Sequence, residues 1–180
     1  KKRNKLLYQS EHDELTGLYN KRSLNRYLED VFEACKLNEK ELGILFLDID
    51  YFKQLNDRYG HGKGDEGICA VADTLKRIFP EDYVARYGGD EFLVVMPERD
   101  LTYAMEHAEL LCAGIRECKI PNEDSEVESW LTISVGGVCA IPKEPNRVWD
   151  FLSAADNTLY EQKKEQKGKV RFYQGEGKYL

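Results

Sequence analysis

Two pairs of acidic residues stand where a folded chain could make them meet. Asp48 and Asp50 follow the apolar run Gly43-Ile44-Leu45-Phe46-Leu47, and Asp90 and Glu91 follow the glycine pair Gly88-Gly89 between two strand-like runs, Tyr83 to Tyr87 and Phe92 to Met96. Carboxylates gathered from distant positions repel one another unless a cation joins them, and hard oxygen donors suit Mg²⁺. Such a site can carry nucleotidyl transfer, in which two metals about 4 Å apart activate an attacking hydroxyl and stabilise the charge on the phosphate and its leaving group. Acids at strand ends and in turns also occur without any metal. Gly88-Gly89 likewise serves a tight turn as readily as it lets a triphosphate lie against bare backbone. Spacing alone leaves both readings open.

Between the pairs lies the stretch from Tyr51 to Asp65, YFKQLNDRYGHGKGD. Its glycines before a helical pattern suggest a phosphate loop, but no Gly-x-x-x-x-Gly-Lys-Ser/Thr is present, so a P-loop is excluded. Asp65 stands where a helix N-cap belongs, which would account for it. Its alternative role is chemically sharper: a carboxylate can accept from both N1–H and the 2-amino group of guanine, a donor pair that adenine lacks.

The elements that must position these residues are legible in the periodicity. Leu24, Tyr27, Leu28, Val31, Phe32 and Cys35 predict an amphipathic helix from about Lys21 to Lys36. Ile68, Val71, Ala72, Leu75 and Ile78 predict a second, stopped by Pro80. Ala104, Ala108, Leu111, Cys112 and Ile115 mark a third, and Val148, Phe151, Leu152, Ala155 and Leu159 a last. The run from Gly43 reads as a buried strand ending in acid. Gly88-Gly89 reads as a hairpin turn carrying two carboxylates at its tip. Trp130 to Ala140 reads as a long strand with a glycine bend. The middle of the chain is therefore the βαββαβ pattern of an α+β, ferredoxin-like domain. A central antiparallel sheet is expected, with helices packed on its faces.

A chain of 180 residues with 42% hydrophobic residues supports one domain with its own core. Twenty-six basic against 33 acidic residues exclude a protein whose main task is to coat a nucleic-acid backbone, so any phosphate must be bound by a few placed cations or a metal. Five scattered cysteines, an odd number without a Cys-x-x-Cys, suggest neither a disulfide framework nor a zinc site. They read as buried free thiols in a reducing compartment. With no apolar run long enough to cross a bilayer and no signal-peptide core, a soluble cytoplasmic domain is expected. The opening at Lys1 fits a piece cut from a longer chain. Residues 1–12 read as a linker or helix from an upstream region, 13–172 as the domain, and 173–180 as a polar tail whose end frays.

YGGDEF (Tyr87 to Phe92) together with DIDYFKQLNDRYGHGKGD (Asp48 to Asp65) resembles the GGDEF family of diguanylate cyclases. The likeness extends to DELTGLYNKR (Asp13 to Arg22), LTISVGG (Leu131 to Gly137) and ADNTLYEQKK (Ala155 to Lys164), in the family's order and from Asp13 to Lys169. The resemblance implies condensation of two GTP into cyclic di-GMP and two pyrophosphates, with Mg²⁺ as cofactor and Mn²⁺ as a possible substitute. It implies that Asp48 and Asp90 are metal ligands with the backbone carbonyl of Ile49, that Glu91 assists, and that Asn56 and Asp65 read guanine. Lys53 and Lys163 would neutralise the triphosphate, with Gly88 and Gly89 beneath it. Lys167 falls where the family commonly has an arginine, so charge is kept but the planar fork is lost. Each domain would be a half-site, a second copy of the domain completing it, and a sensor domain is expected upstream in the full-length protein.

The chain departs from the family at one functional place. Where many members carry an inhibitory Arg-x-x-Asp that binds product, this sequence has Phe79-Pro80-Glu81-Asp82. Without the guanidinium, tight feedback through that motif is not expected, and Arg77 is placed by its helix on another face. Competing readings are a catalytically silent GGDEF-like nucleotide-binding module, a purine-promiscuous cyclase, and a metal-dependent phosphohydrolase. The intact Gly88 to Phe92, Asp48, Asn56 and Asp65 disfavour the first, Asp65 the second, and the lack of a nucleophile or His-Asp metal cluster the third. Asp50 is expected to be a structural acid and Arg86 to pair with an acid. His61 reads as a turn residue, His12 and His107 lack catalytic context, and Trp130 and Trp149 read as packing.

Overall fold

The structure is a computed structural model whose described residues are 2–175 and 180. Its elements run α1 (Lys2–Glu11), α2 (Lys21–Leu37), β1 (Leu42–Ile49), α3 (Phe52–Tyr59), α4 (His61–Ile78), β2 (Tyr83–Gly88), β3 (Glu91–Pro97), α5 (Leu101–Glu117), β4 (Ile133–Ala140), α6 (Val148–Glu165) and β5 (Val170–Phe172). β1 is buried along its whole length, so both of its faces must be covered. Alternation divides its side chains between two cores. Leu45, Leu47 and Ile49 pack among residues of α4 and α5, whereas Leu42, Ile44 and Phe46 pack among those of α2 and α6. β1 lies antiparallel between β3 and β4, and the sheet order is β2-β3-β1-β4-β5. This is the expected ferredoxin-like arrangement plus an edge strand.

That edge corrects the expectation of an antiparallel sheet. β5 is three residues long and pairs parallel to β4, making the sheet mixed. The strand expected from Trp130 begins at Ile133, and Trp130 makes only an isolated bridge to Pro121. Asp65 is not an N-cap: α4 starts at His61 with Gly60 before it, placing Asp65 in the helix's fifth position. The stretch after β1, to which the periodicity assigns no element, contains α3, whose only buried residue is Leu55. Of the cysteines, Cys35 and Cys112 are buried, Cys69 and Cys139 half-buried and Cys118 exposed, so the thiols are not uniformly inside. Trp149 is 72% exposed and does not pack, while Trp130 lies beneath the Lys119 ammonium. Of the expected tail, residues 176–179 lie outside the described residues. Phe79 is fully inside the α4–α5 core, and Arg77 reaches over Gly114 of α5.

Two contacts aim the ends of β1 and the hairpin. Gly136 of β4 lets α6 approach the sheet, since a Cβ there would lie 2.3 Å from the Leu159 nitrogen and 2.4 Å from the Ala155 oxygen. In the hairpin, Gly88 ends β2 and Glu91 begins β3, leaving Gly89 and Asp90 as the turn, with Gly89 at φ 39°. Arg86 pairs with an acid as expected, and it also holds this turn. Its Nε and Nη2 donate to the Gly89 carbonyl at 3.0 and 2.7 Å, and its Nη1 to Asp13 at 3.2 Å. Burial pushes the Asp13 carboxyl up, but hydrogen bonds from Thr16 and the Arg86 charge hold it below the usual carboxylate value.

Gly136→Ala should cost about 1–3 kcal/mol or more through overpacking against rigid helix backbone, read by urea denaturation. An unchanged midpoint would contradict the close approach. Arg86→Ala removes charged hydrogen bonds worth roughly 1.5–3 kcal/mol. Amide hydrogen exchange at residues 89–91 should then quicken by about tenfold or more while distant strands keep their protection. Arg86→Lys should restore only part of it.

Candidate active site

β1 ends by delivering Asp48 and Asp50 to the α6 side of the sheet. Asp48 stands opposite Glu91 in the antiparallel register, so their side chains share that face. The hairpin turn then adds Asp90 beside them. Asp50, 1% exposed, is fully engaged: Thr132 Oγ1 donates to one oxygen at 2.8 Å and Ser134 Oγ to the other at 2.5 Å. Asp50 is the structural acid that the sequence suggests.

Asp48 differs. Its Oδ2 accepts from Lys163 Nζ of α6 at 2.5 Å, while its Oδ1 is buried with no hydrogen-bond partner among the described residues. The Asp48 carboxyl is raised to about 6, by burial above all and by the neighbouring Asp90 and Asp50, against the pull of the Lys163 hydrogen bond and charge. Burial also raises Asp90, against hydrogen bonds from its own and the Ile49 main chain and the charge of Lys163. Glu91 is raised by burial and then by Asp90 and Asp156. Burial lowers Lys163, but its contact with Asp48 outweighs that and raises it. Acids this hard to ionise together call for a cation.

A cleft of about 430 Å³ opens at this end of the sheet. Asp48, Ile49, Asp50, Lys53, Asn56, Asp90, Lys163 and Lys167 line it, all of them residues singled out in the sequence. Gly88, Gly89 and Glu91 are not among its lining residues. Asp65 is not either, and its side chain stands exposed on α4. Among the described residues no three His, Cys, Asp or Glu side chains form a ready-made metal cage. Two carboxylates, one with a buried unpartnered oxygen, and a main-chain carbonyl fit a cation that keeps most of its ligands as phosphate oxygens and water. Mg²⁺ bound with a nucleotide behaves in this way.

The spacing missed residues that shape the cleft. Tyr51, Phe52, Gln54, Asp57 and His61 also line it, His61 as the first residue of α4. Tyr51 adopts a left-handed φ of 52° between β1 and α3, its hydroxyl donates to Glu126 at 3.1 Å, and Lys167 Nζ lies 4.2 Å from its ring centre. Beneath it, Asn122 is fully buried and its amide donates to the Asp50 carbonyl at 3.3 Å. Asn122 lies 72 residues away from that carbonyl in the chain, and no local pattern signals it. His12 and His107 stay outside the site, stacked on Tyr8 and Tyr19 and on Tyr103 respectively. Asp82 is likewise occupied, accepting from the Tyr103 hydroxyl at 2.6 Å with Arg99 Nε 3.6 Å away.

Comparison with known proteins is consistent along the chain. Residues 10–169 match the family described as "Diguanylate cyclase, GGDEF domain". The probable diguanylate cyclase DgcC of Escherichia coli K12 is 33% identical over 161 residues, covering 89% of this chain and 42% of that protein. The diguanylate cyclase VdcA of Vibrio cholerae is 35% identical over 153 residues, covering 84% and 43%. The chain thus spans under half the length of these curated relatives. Among solved structures, the GGDEF domain of DgcB from Caulobacter crescentus, in complex with c-di-GMP, superposes with a TM-score of 0.83 at 26% identity, covering 92% of this chain and 96% of that one. No helix among the described residues is long and apolar enough to cross a membrane. With the ferredoxin-like sheet, the Gly-Gly-Asp-Glu-Phe hairpin and a family match over nearly all of its length, the chain belongs to the GGDEF-domain family of diguanylate cyclases.

Proposed function

We propose that this domain condenses two GTP molecules into cyclic di-GMP. The observation that carries the reading is the buried Asp48 and the half-buried Asp90 facing one cleft that Lys53, Lys163 and Lys167 also line. Acids alone would repel a triphosphate, and lysines alone would not hold a metal. Together they suit a metal–triphosphate complex.

In this reading Asp48, Asp90 and the Ile49 carbonyl hold Mg²⁺, with Mn²⁺ as a substitute, and Glu91 assists. The cation supplies charge neutralisation at the reacting phosphate. Lys53, Lys163 and Lys167 receive the phosphates, Gly88 and Gly89 leave room for them, and Asn56 and Asp65 read guanine. Asp65 must be reached by a base lying beyond the cleft's floor, along α4. Each domain presents one GTP to its copy in a homodimer. The 3′-hydroxyl of one nucleotide attacks the α-phosphate of the other, a phosphodiester forms, the α–β bond breaks and pyrophosphate leaves. The reciprocal attack closes the ring. Residues 13–172 form the catalytic domain, residues 1–12 join it to an upstream sensor, and 173–180 are a tail. With Phe79 inside the core and Asp82 engaged by Tyr103, no tight product feedback operates through this segment.

The test incubates the purified chain with Mg²⁺ and GTP, ATP or both, with products identified by mass spectrometry. Cyclic di-GMP from GTP alone is expected, with a rate per subunit that falls on dilution. Asp90→Ala should lose about 10²-fold or more, the scale of removing a charge-stabilising group, and added cyclic di-GMP should not inhibit tightly and noncompetitively. GTP binding without turnover would assign a silent nucleotide-binding module instead. Mixed dinucleotides would remove guanine selectivity from the account.

A further inference from the structure

The segment Gly60-His61-Gly62-Lys63-Gly64 contains three glycines, each in a different environment. Gly60 has φ 87°, so its backbone requires glycine. A Cβ on Gly62 would meet nothing within 4 Å. Gly64 is buried in the first turn of α4 without a positive φ, so helix propensity favours alanine there. Space is what forbids it. A Cβ at Gly64 would fall 1.9 Å from Asn56 Oδ1, 2.9 Å from Asn56 Cγ and 3.3 Å from Phe52 Cζ.

We propose that Gly64 is a specificity-positioning residue, whose missing side chain is the seat in which the Asn56 amide is held for a guanine base. The proposal rests on the reading of Asn56 as a base-contacting residue. Asn56 Oδ1 is buried in this seat without a hydrogen-bond partner, so the amide is fixed there by the space that Gly64 leaves. Phe52 and Asn56, one turn apart on α3, both face Gly64, and Asp65 is the next residue along α4. Gly64 therefore sets the spacing between Asn56 on one helix and Asp65 on the other. Any side chain there must expel the amide from its seat or push α3 from α4, and either change misplaces one reader relative to the other.

A double-mutant cycle tests this, using thermal unfolding and calorimetric binding of α,β-methylene GTP and ATP with Mg²⁺. Gly64→Ala should lower the melting temperature when Asn56 is present and lower it much less in the Asn56→Ala background, where only the 3.3 Å approach to Phe52 Cζ still opposes the gain in helix propensity. The same effect in both backgrounds would overturn the proposal. The cycle decides even if the single Gly64→Ala variant folds poorly, because the double variant should fold. In binding, Gly64→Ala should weaken the GTP analogue by about tenfold, the scale of withdrawing one hydrogen-bonding group, and narrow its preference over the ATP analogue. Gly62→Ala should change neither. If Asn56→Ala binds the GTP analogue as tightly as wild type, the reading of Asn56 fails and the specificity role falls with it. If Asn56→Ala weakens binding and Gly64→Ala does not, only the role of Gly64 is overturned.

Discussion

Two acids that cannot comfortably ionise side by side sit at the end of a fully buried strand, and much of the surrounding structure deals with that constraint. Asp50 is offset within the fold by the hydroxyls of Thr132 and Ser134. Asp48 is only half offset, by Lys163, and keeps one oxygen buried without a partner. Burying a carboxylate costs several kcal/mol unless charge or hydrogen bonds offset it. Asp50 is thus satisfied within the fold, whereas Asp48 keeps the oxygen that, in the proposed reading, a cation engages. Asp90, delivered by a turn rather than a strand, can approach Asp48 without sharing its backbone hydrogen bonds.

Holding these groups in place involves elements far from the cleft. Gly136 brings α6, and with it Lys163, onto the sheet. Arg86 ties the Gly89 carbonyl to Asp13, next to the segment that leaves α1. On the other side Asn122 and Glu126 brace Tyr51, whose left-handed backbone turns the chain from β1 into α3.

The parts of this plan that were legible in the sequence are those with a period or a motif. β1 showed as an apolar run ending in acid, the hairpin as paired glycines, and four helices as 3.6-residue stripes. Two short elements escaped: α3 has eight residues, of which only Leu55 is buried, and β5 has three, so each is too short for a stripe to repeat. Asp65 has the chemistry of an N-cap but sits inside α4, which Gly60 opens through its backbone conformation rather than through a capping side chain. Trp149 was read as packing from its chemistry, yet it stands on the solvent side of α6. The seating of Asn56 against Gly64 and the brace from Asn122 are tertiary contacts, and no spacing rule encodes them.

The claim that Asp48 and Asp90 are built for a divalent cation is tested most directly by Mn²⁺ affinity, measured by electron paramagnetic resonance against pH. The Asp48 carboxyl is raised to about 6, and its protonated, neutral form cannot serve as a ligand. Affinity should therefore be level above that pH and fall toward about tenfold per pH unit below it. Asp48→Asn should bind weakly at every pH. Wild-type affinity unchanged between about pH 7 and pH 5, or an Asp48→Asn variant binding Mn²⁺ as tightly as wild type, would contradict the account.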